Sequence, residues 1–172
     1  MNFLKFVFIL VFLIVSVNTN EKEDALKGVI LERISQFITY NPQKTDLTIC
    51  IYDDPSMYNS LQRLYKGKKY NKLPIKVLSV NNKSNYESCD VFYTSHINKL
   101  LTQKMKNITP EYTLFVCNDV EKLSDGFTLA LYLEGKKIRI AINQEALLKT
   151  KLKVDYRLLK VASVIVNPVK AR

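Results

Sequence analysis

A chain of 172 residues, 47% hydrophobic and 24% charged, is long enough to bury a core and too apolar to be disordered. Four Gly and five Pro exclude collagen-like and low-complexity chains. The formal charge of +10 admits an acidic partner, yet no basic run exceeds Lys68-Lys69 or Lys136-Lys137, so a solvated Lys surface without nucleic-acid binding is expected.

Residues 1–19 read as a secretory signal peptide. Lys5 supplies the positive start, Phe6 to Val17 is apolar except for Ser16, and acidic Glu21, Glu23 and Asp24 follow. The apolar run is shorter than the roughly 20 residues of a membrane span. No cysteine near residue 20 offers a lipid anchor. Periplasmic export is expected, leaving residues 20–172 as a single domain.

Asp24 is expected to cap a helix with Leu26, Val29, Ile30, Ile34, Phe37 and Ile38 on one face, ended by Asn41-Pro42. Leu47 to Tyr52 is a short apolar strand. Asp53-Asp54-Pro55-Ser56 then turns into a helix carrying Met57, Leu61 and Leu64, stopped at Gly67. Further strands are expected at 75–80, 91–94 and 113–117. A helix with Ile97, Leu100, Leu101, Met105 and Ile108 lies between the last two. Strands separated by helices pair in parallel through right-handed crossovers. Two apolar runs, 127–133 and 138–142, flank Glu134-Gly135-Lys136-Lys137 and form an antiparallel hairpin. Asn143 caps the next helix, and a last helix carries Leu158, Leu159, Ala162 and Ile165 on one face. The expected fold is α/β: a three-layer sandwich with a mostly parallel sheet and an antiparallel C-terminal hairpin at one edge.

Little in this order carries catalysis. In open α/β sheets ligands sit at the carboxyl ends of the strands, where the candidates are Asp53, Asp54, Thr94, Ser95, His96 and Asp119. Asp53-Asp54 resembles the acidic pair with which response-regulator receivers hold Mg²⁺. The third strand, however, ends Tyr93-Thr94-Ser95 rather than on Asp, and Asp90 sits at its other end. Turn and helix-cap chemistry is the simpler reading. His96 is the sole histidine, so no His-based metal site is expected. A Cys117/His96 dyad lacks a third orienting group. No P-loop, G-x-G-x-x-G or G-x-S-x-G is present, and no cofactor is expected. Asn107-Ile108-Thr109 is a glycosylation sequon of consequence only in a eukaryotic secretory host.

Three cysteines allow three pairings in an oxidising compartment. In a 2-1-3-4 strand order Cys50 and Cys89 lie on neighbouring strands, within disulfide reach. The alternative is two separately buried thiols. Cys117 is then a small buried residue.

The order Gly126-led strand, Glu134-Gly135 hairpin, Arg139-x-x-Ile142-Asn143, small-residue helix and Leu158-Leu159-x-x-Ala162 resembles the YfiR-like family of periplasmic regulators. The resemblance reaches back to about Ala25. Asn41 stands where that family usually places an aromatic before Pro42. The family is similar too in having one cysteine in the first strand and one just before the third. The resemblance implies a non-enzymatic, exported repressor. It would bind the outward-facing sensor domain of a membrane diguanylate cyclase, restraining cyclic-di-GMP synthesis and biofilm formation, and would form a homodimer. Arg139 and Asn143 would support the hairpin or line the partner surface. The competing expectation is a periplasmic small-ligand-binding module, or a minor enzyme, using the sheet's carboxyl edge.

Overall fold

The computed structural model describes residues 19–84, 86–107, 111–162 and 164–166. The leader before Thr19, and Ile108-Thr109 of the expected helix and sequon, lie outside them.

Strand identity follows from apolar β-branched runs bounded by turn residues. β1 (Ile38–Thr39) is followed by β2 (Leu47–Tyr52), whose six residues are all buried. Burial on both faces is what a central parallel strand requires. α1 (Thr19–Ser35) precedes them, and α2 (Pro55–Tyr65) follows. Asp54 caps α2 and Pro55 opens it, a pairing that satisfies one orphan N–H and presets φ. β3 (Lys69–Tyr70) and β4 (Leu73–Val80) form a tight hairpin, in which Asn71 and Lys72 both take positive φ. β5 (Val91–Thr94), α3 (Lys99–Asn107) and β6 (Leu114–Cys117) complete the crossover units. β7 (Leu129–Glu134) and β8 (Lys137–Asn143) form the expected antiparallel hairpin, with Glu134 opposite Lys137 across the turn. Gly135 there has φ 62°, which costs a glycine little.

Among the described residues the main sheet has eight strands. β9 (Lys153–Val154) joins β1 in a separate two-stranded sheet, and β10 (Val164–Val166) closes one end of the main sheet, whose order is β10-β8-β7-β6-β5-β2-β4-β3. The centre, β4-β2-β5-β6-β7, is parallel, in the 2-1-3-4 order expected of the first four long strands.

Alternation along the strands divides the core between two faces. Ile49, Ile51, Val91, Tyr93, Leu114 and Val116 face α1 and α2. Cys50, Tyr52, Phe92, Phe115 and Cys117 face Leu101 and Met105 of α3 and the nearby Leu123. Helices thus cover both sides of the sheet. α1 and α2 approach closely at Gly28, where a Cβ would stand 2.4 Å from Leu61 Cδ2. The Tyr65 hydroxyl donates to the Gly28 carbonyl at 2.6 Å, pinning the same crossing.

Three elements differ from expectation. Asp24 does not cap α1; it lies one turn inside a helix that begins by Thr19. That helix ends at Ser35, because Ile38–Thr39 is drawn into the small sheet against Lys153–Val154. The last helix, α5 (Tyr156–Val161), stops early: Ala162 is extended at φ −67°, ψ 133°, and Val164–Val166 pairs in parallel with Ala141–Asn143. Three β-branched residues prefer that pleated edge to another helical turn. The hairpin is therefore flanked by one further short strand.

Candidate functional site

The carboxyl ends of β2 and β5 meet in a polar cluster. Asp54 is buried, and its Oδ1 accepts from the Met57 amide at 3.0 Å. Its Oδ2 accepts from Ser95 Oγ, and Ser95 Oγ lies 2.9 Å from His96 Nδ1. Ser95 has one hydroxyl proton. Donated to Asp54, it leaves Oγ only an acceptor's role toward His96, so Nδ1 carries the hydrogen. A nucleophilic serine needs the opposite, with the imidazole taking the serine proton. Thr94 is fully buried and closes its own turn: Oγ1 accepts from the His96 amide and donates to the His96 carbonyl, both at 3.0 Å. Asp53 is exposed at φ 51°. Asp119 stands apart after β6, where its Oδ1 accepts from the Glu121 amide at 2.9 Å and caps the 3-10 turn Val120–Asp125. The structure thus joins Asp54, Ser95 and His96, and leaves Asp53 and Asp119 outside that group.

Reading the sequence missed the part of this cluster that α1 supplies. Ser56 Oγ donates to Asp24 Oδ2 at 2.6 Å. Burial raises the Asp24 carboxyl above its ordinary range despite that bond, and the Asp54 charge adds to the rise. Lys27 is 5% exposed and pairs with Glu23 at 2.6 Å. The i,i+4 spacing of Glu23 and Lys27 was the available signal. Tyr93 is wholly buried, and its hydroxyl has no hydrogen-bond partner among the described residues. Burial first, then the charges of Asp54, Asp24 and Glu23, push its ionisation upward. An unpartnered buried hydroxyl is a cost of about 1–3 kcal/mol. Tyr93→Phe should therefore raise stability by about 1 kcal/mol in urea melts; a loss instead would show that the hydroxyl serves a bound group.

Cysteine chemistry is split in two. Cys50 and Cys89 form a disulfide with Cα atoms 5.8 Å apart. Cys117 is a free, buried thiol whose Sγ donates to the Asp119 carbonyl at 3.1 Å. Burial pushes it up to about 12. The thiolate is the reactive form, so at pH 8 the native protein should be alkylated at Cys117 about 1,000-fold more slowly than a free thiol. Intact-mass measurement with iodoacetamide, native against urea-unfolded, reads this directly. Among the described residues no group of three or more His, Cys, Asp and Glu could hold a metal ion.

The hairpin motif has two unlike members. Asn143 is 4% exposed: its Oδ1 accepts from the Ala146 amide at 3.0 Å, capping α4 (Gln144–Leu148), and its Nδ2 donates to the Leu123 carbonyl at 2.9 Å. Arg139 is about half exposed and pairs with Glu134 Oε2 at 2.9 Å. Asn143→Ala should cost about 2 kcal/mol, from one lost cap and one lost buried bond to the Leu123 carbonyl, which keeps only the longer 3.4 Å bond from the Gly126 amide. Arg139→Ala should cost under about 0.5 kcal/mol, since exposed ion pairs are weak. Thermal melts of both variants separate the structural residue from the surface one.

A groove of about 400 Å³ runs between the C-terminal half of α2 and β4, lined by Gln62, Arg63, Tyr65, Lys66, Gly67, Ile75 and Val77. It shares no residue with the carboxyl-edge cluster.

The sequence model of the YfiR/HmsC-like family matches residues 24–163, which takes in the carboxyl-edge candidates, all three cysteines, the hairpin and the groove. The chain belongs to the YfiR/HmsC-like family. This is a family of periplasmic regulators of diguanylate cyclase signalling, whose members bind a partner's sensor domain. No curated protein matches the sequence. Two solved structures share the fold. One is the ABC domain in complex with L-Trp from Streptococcus pneumoniae, at TM-score 0.54 and 10% identity over 83% of this chain and 60% of that one. The other is a conserved domain protein from Vibrio cholerae, at TM-score 0.54 and 12% identity over 81% and 60%. This chain therefore spans about three-fifths of each. Among the described residues no helix is long and apolar enough to cross a membrane.

Proposed function

We propose that this protein is an exported repressor that binds the outward-facing sensor domain of a membrane diguanylate cyclase, holding cyclic-di-GMP synthesis down and restraining biofilm formation. Membership of the YfiR/HmsC-like family over residues 24–163 carries the reading. The geometry at the carboxyl edge supports it. Asp54, Thr94 and Asp119 spend their side chains on caps and turns, and Ser95 gives its proton to Asp54 rather than to His96. Those bonds leave neither a ligand cage nor an activated nucleophile among the residues expected to provide one, which favours a non-enzymatic binding protein over a small-ligand module. The leader in residues 1–19 and the disulfide fit an oxidising compartment outside the cytoplasm. A homodimer is carried over with the family.

Deleting the gene should raise cellular cyclic-di-GMP and biofilm mass, and the purified protein should be retained by the immobilised sensor domain of the cyclase. Unchanged cyclic-di-GMP together with no retention would exclude the repressor. Sedimentation of the purified protein at micromolar concentration tests the dimer.

A further inference from the structure

The main sheet is left unfinished along most of β4. β3 pairs with Leu73 and Pro74 only, while Ile75–Val80 pairs with β2 alone. In a strand, successive residues send their N–H and C=O to opposite sides. The Asp53 amide donates to the Val80 carbonyl at 3.4 Å on the β2 side. Alternation then directs the backbone groups of Ile75, Val77 and Ser79 to the open side. Gln62 Nε2 donates to the Val77 carbonyl at 2.9 Å there, occupying the place of a missing strand's donor. The groove lies directly over this edge. Its floor is Ile75, Val77 and Tyr65, and its rim is Arg63 and Lys66.

We propose that this edge accepts an extended, acidic segment of a partner protein as an added strand. Main-chain hydrogen bonds to Ile75, Val77 and Ser79 would give affinity, and alternate side chains would enter the groove. Charge selects the occupant. Lys66, Lys69 and Lys72 are exposed and form no ion pair among the described residues, on a chain of net charge +10. The cations nearby that are paired draw their carboxylates from the chain itself, Lys68 from Glu32 and Arg63 from Glu21 on α1, and Lys76 from Asp46 just before β2. A second copy would set the same lysines against one another, whereas carboxylates on the incoming strand would neutralise them. Open edges are commonly blunted by Pro or Lys. Here Pro74 already lies under β3, Lys76 alone guards the open stretch, and Ser79 is unprotected. The inference rests on the edge and its charge, and stands whether or not the partner is a cyclase.

The test uses the purified, isotope-labelled protein and an eight-residue peptide of alternating Glu and Val. Amide shifts should concentrate at Ile75, Val77, Ser79 and the end of α2, and binding should weaken steeply with salt. Ser79→Pro removes an outward N–H without touching the β2 ladder and should weaken binding at least tenfold. Lys66→Glu with Lys69→Glu leaves the strand intact and should weaken it about tenfold, so the charge argument is tested even if the proline variant fails to fold. Shifts elsewhere, equal binding of a Lys/Val peptide, or unchanged affinity in both variants would overturn the proposal. So would self-association of the free protein that Ser79→Pro abolishes, because the edge would then belong to a second copy.

Discussion

Reduction of the Cys50–Cys89 disulfide is expected to lower the unfolding free energy by about 4 kcal/mol. The two residues are 39 positions apart, and closing a loop of that length removes roughly this much chain entropy from the unfolded state. The folded state loses little in return: Cys50 lies on β2 and Cys89 just before β5, where the Asp90 amide donates to the Thr48 carbonyl at 2.8 Å, so the backbone already holds the two Cα atoms 5.8 Å apart. With a denaturant slope of about 2 kcal/mol per molar urea, the midpoint should fall by about 2 M. Urea curves of the oxidised protein, the reduced protein and Cys50→Ala/Cys89→Ala measure it. The last two should nearly coincide. A shift below about 0.5 M would mean that the unfolded chain is already compact around this link.

Phe92→Ala is expected to cost about 3–5 kcal/mol, the range for deleting a large buried aromatic. Phe92 is fully buried on β5, with ring centroids 4.6 Å from Tyr86, 5.4 Å from Phe115 and 5.9 Å from Tyr52. Among the described residues no other side chain on the α3 side of the sheet touches so many rings. Its register partner on β2 is Cys50. Side chains in direct contact do not act independently. The cost of Phe92→Ala should therefore differ between oxidised and reduced protein by more than about 0.5 kcal/mol. Equal costs in the two states would show that the link and the aromatic cluster stabilise the sheet separately.

The parallel centre of the fold is legible because Leu47 to Tyr52, Val91 to Thr94 and Leu114 to Cys117 are buried on both faces and bounded by Asp, Pro or polar turns. The hairpin around Gly135 is legible for the same reason. What escapes notice is short and held by partners distant in sequence. β1 and β9 are two residues each and exist only through one another. The β3–β4 turn uses Asn71-Lys72, and lysine at positive φ is not a turn signal. The C-terminal residues satisfy two periods at once: Leu158, Leu159, Ala162 and Ile165 suit a helix, while Val164-Ile165-Val166 suits a strand, and the open side of β8 decides. At the carboxyl edge, Asp54 and Ser95 can be placed from strand order alone. The Ser56–Asp24 bond beside them cannot, because it depends on how α1 crosses α2 at Gly28.

The segment between Cys50 and Cys89 contains α2, β3, β4 and the groove, and its exposed stretch at Asn81, Asn82 and Lys83 is the kind of loop that proteases enter. A single cut there would not release a fragment. The disulfide would keep the two pieces as one nicked molecule, with β4 still paired to β2 and the binding edge still displayed. Only a reductant acting after the protease would let the pieces part. The link therefore governs whether the protein stays whole after a cut as well as how firmly it folds.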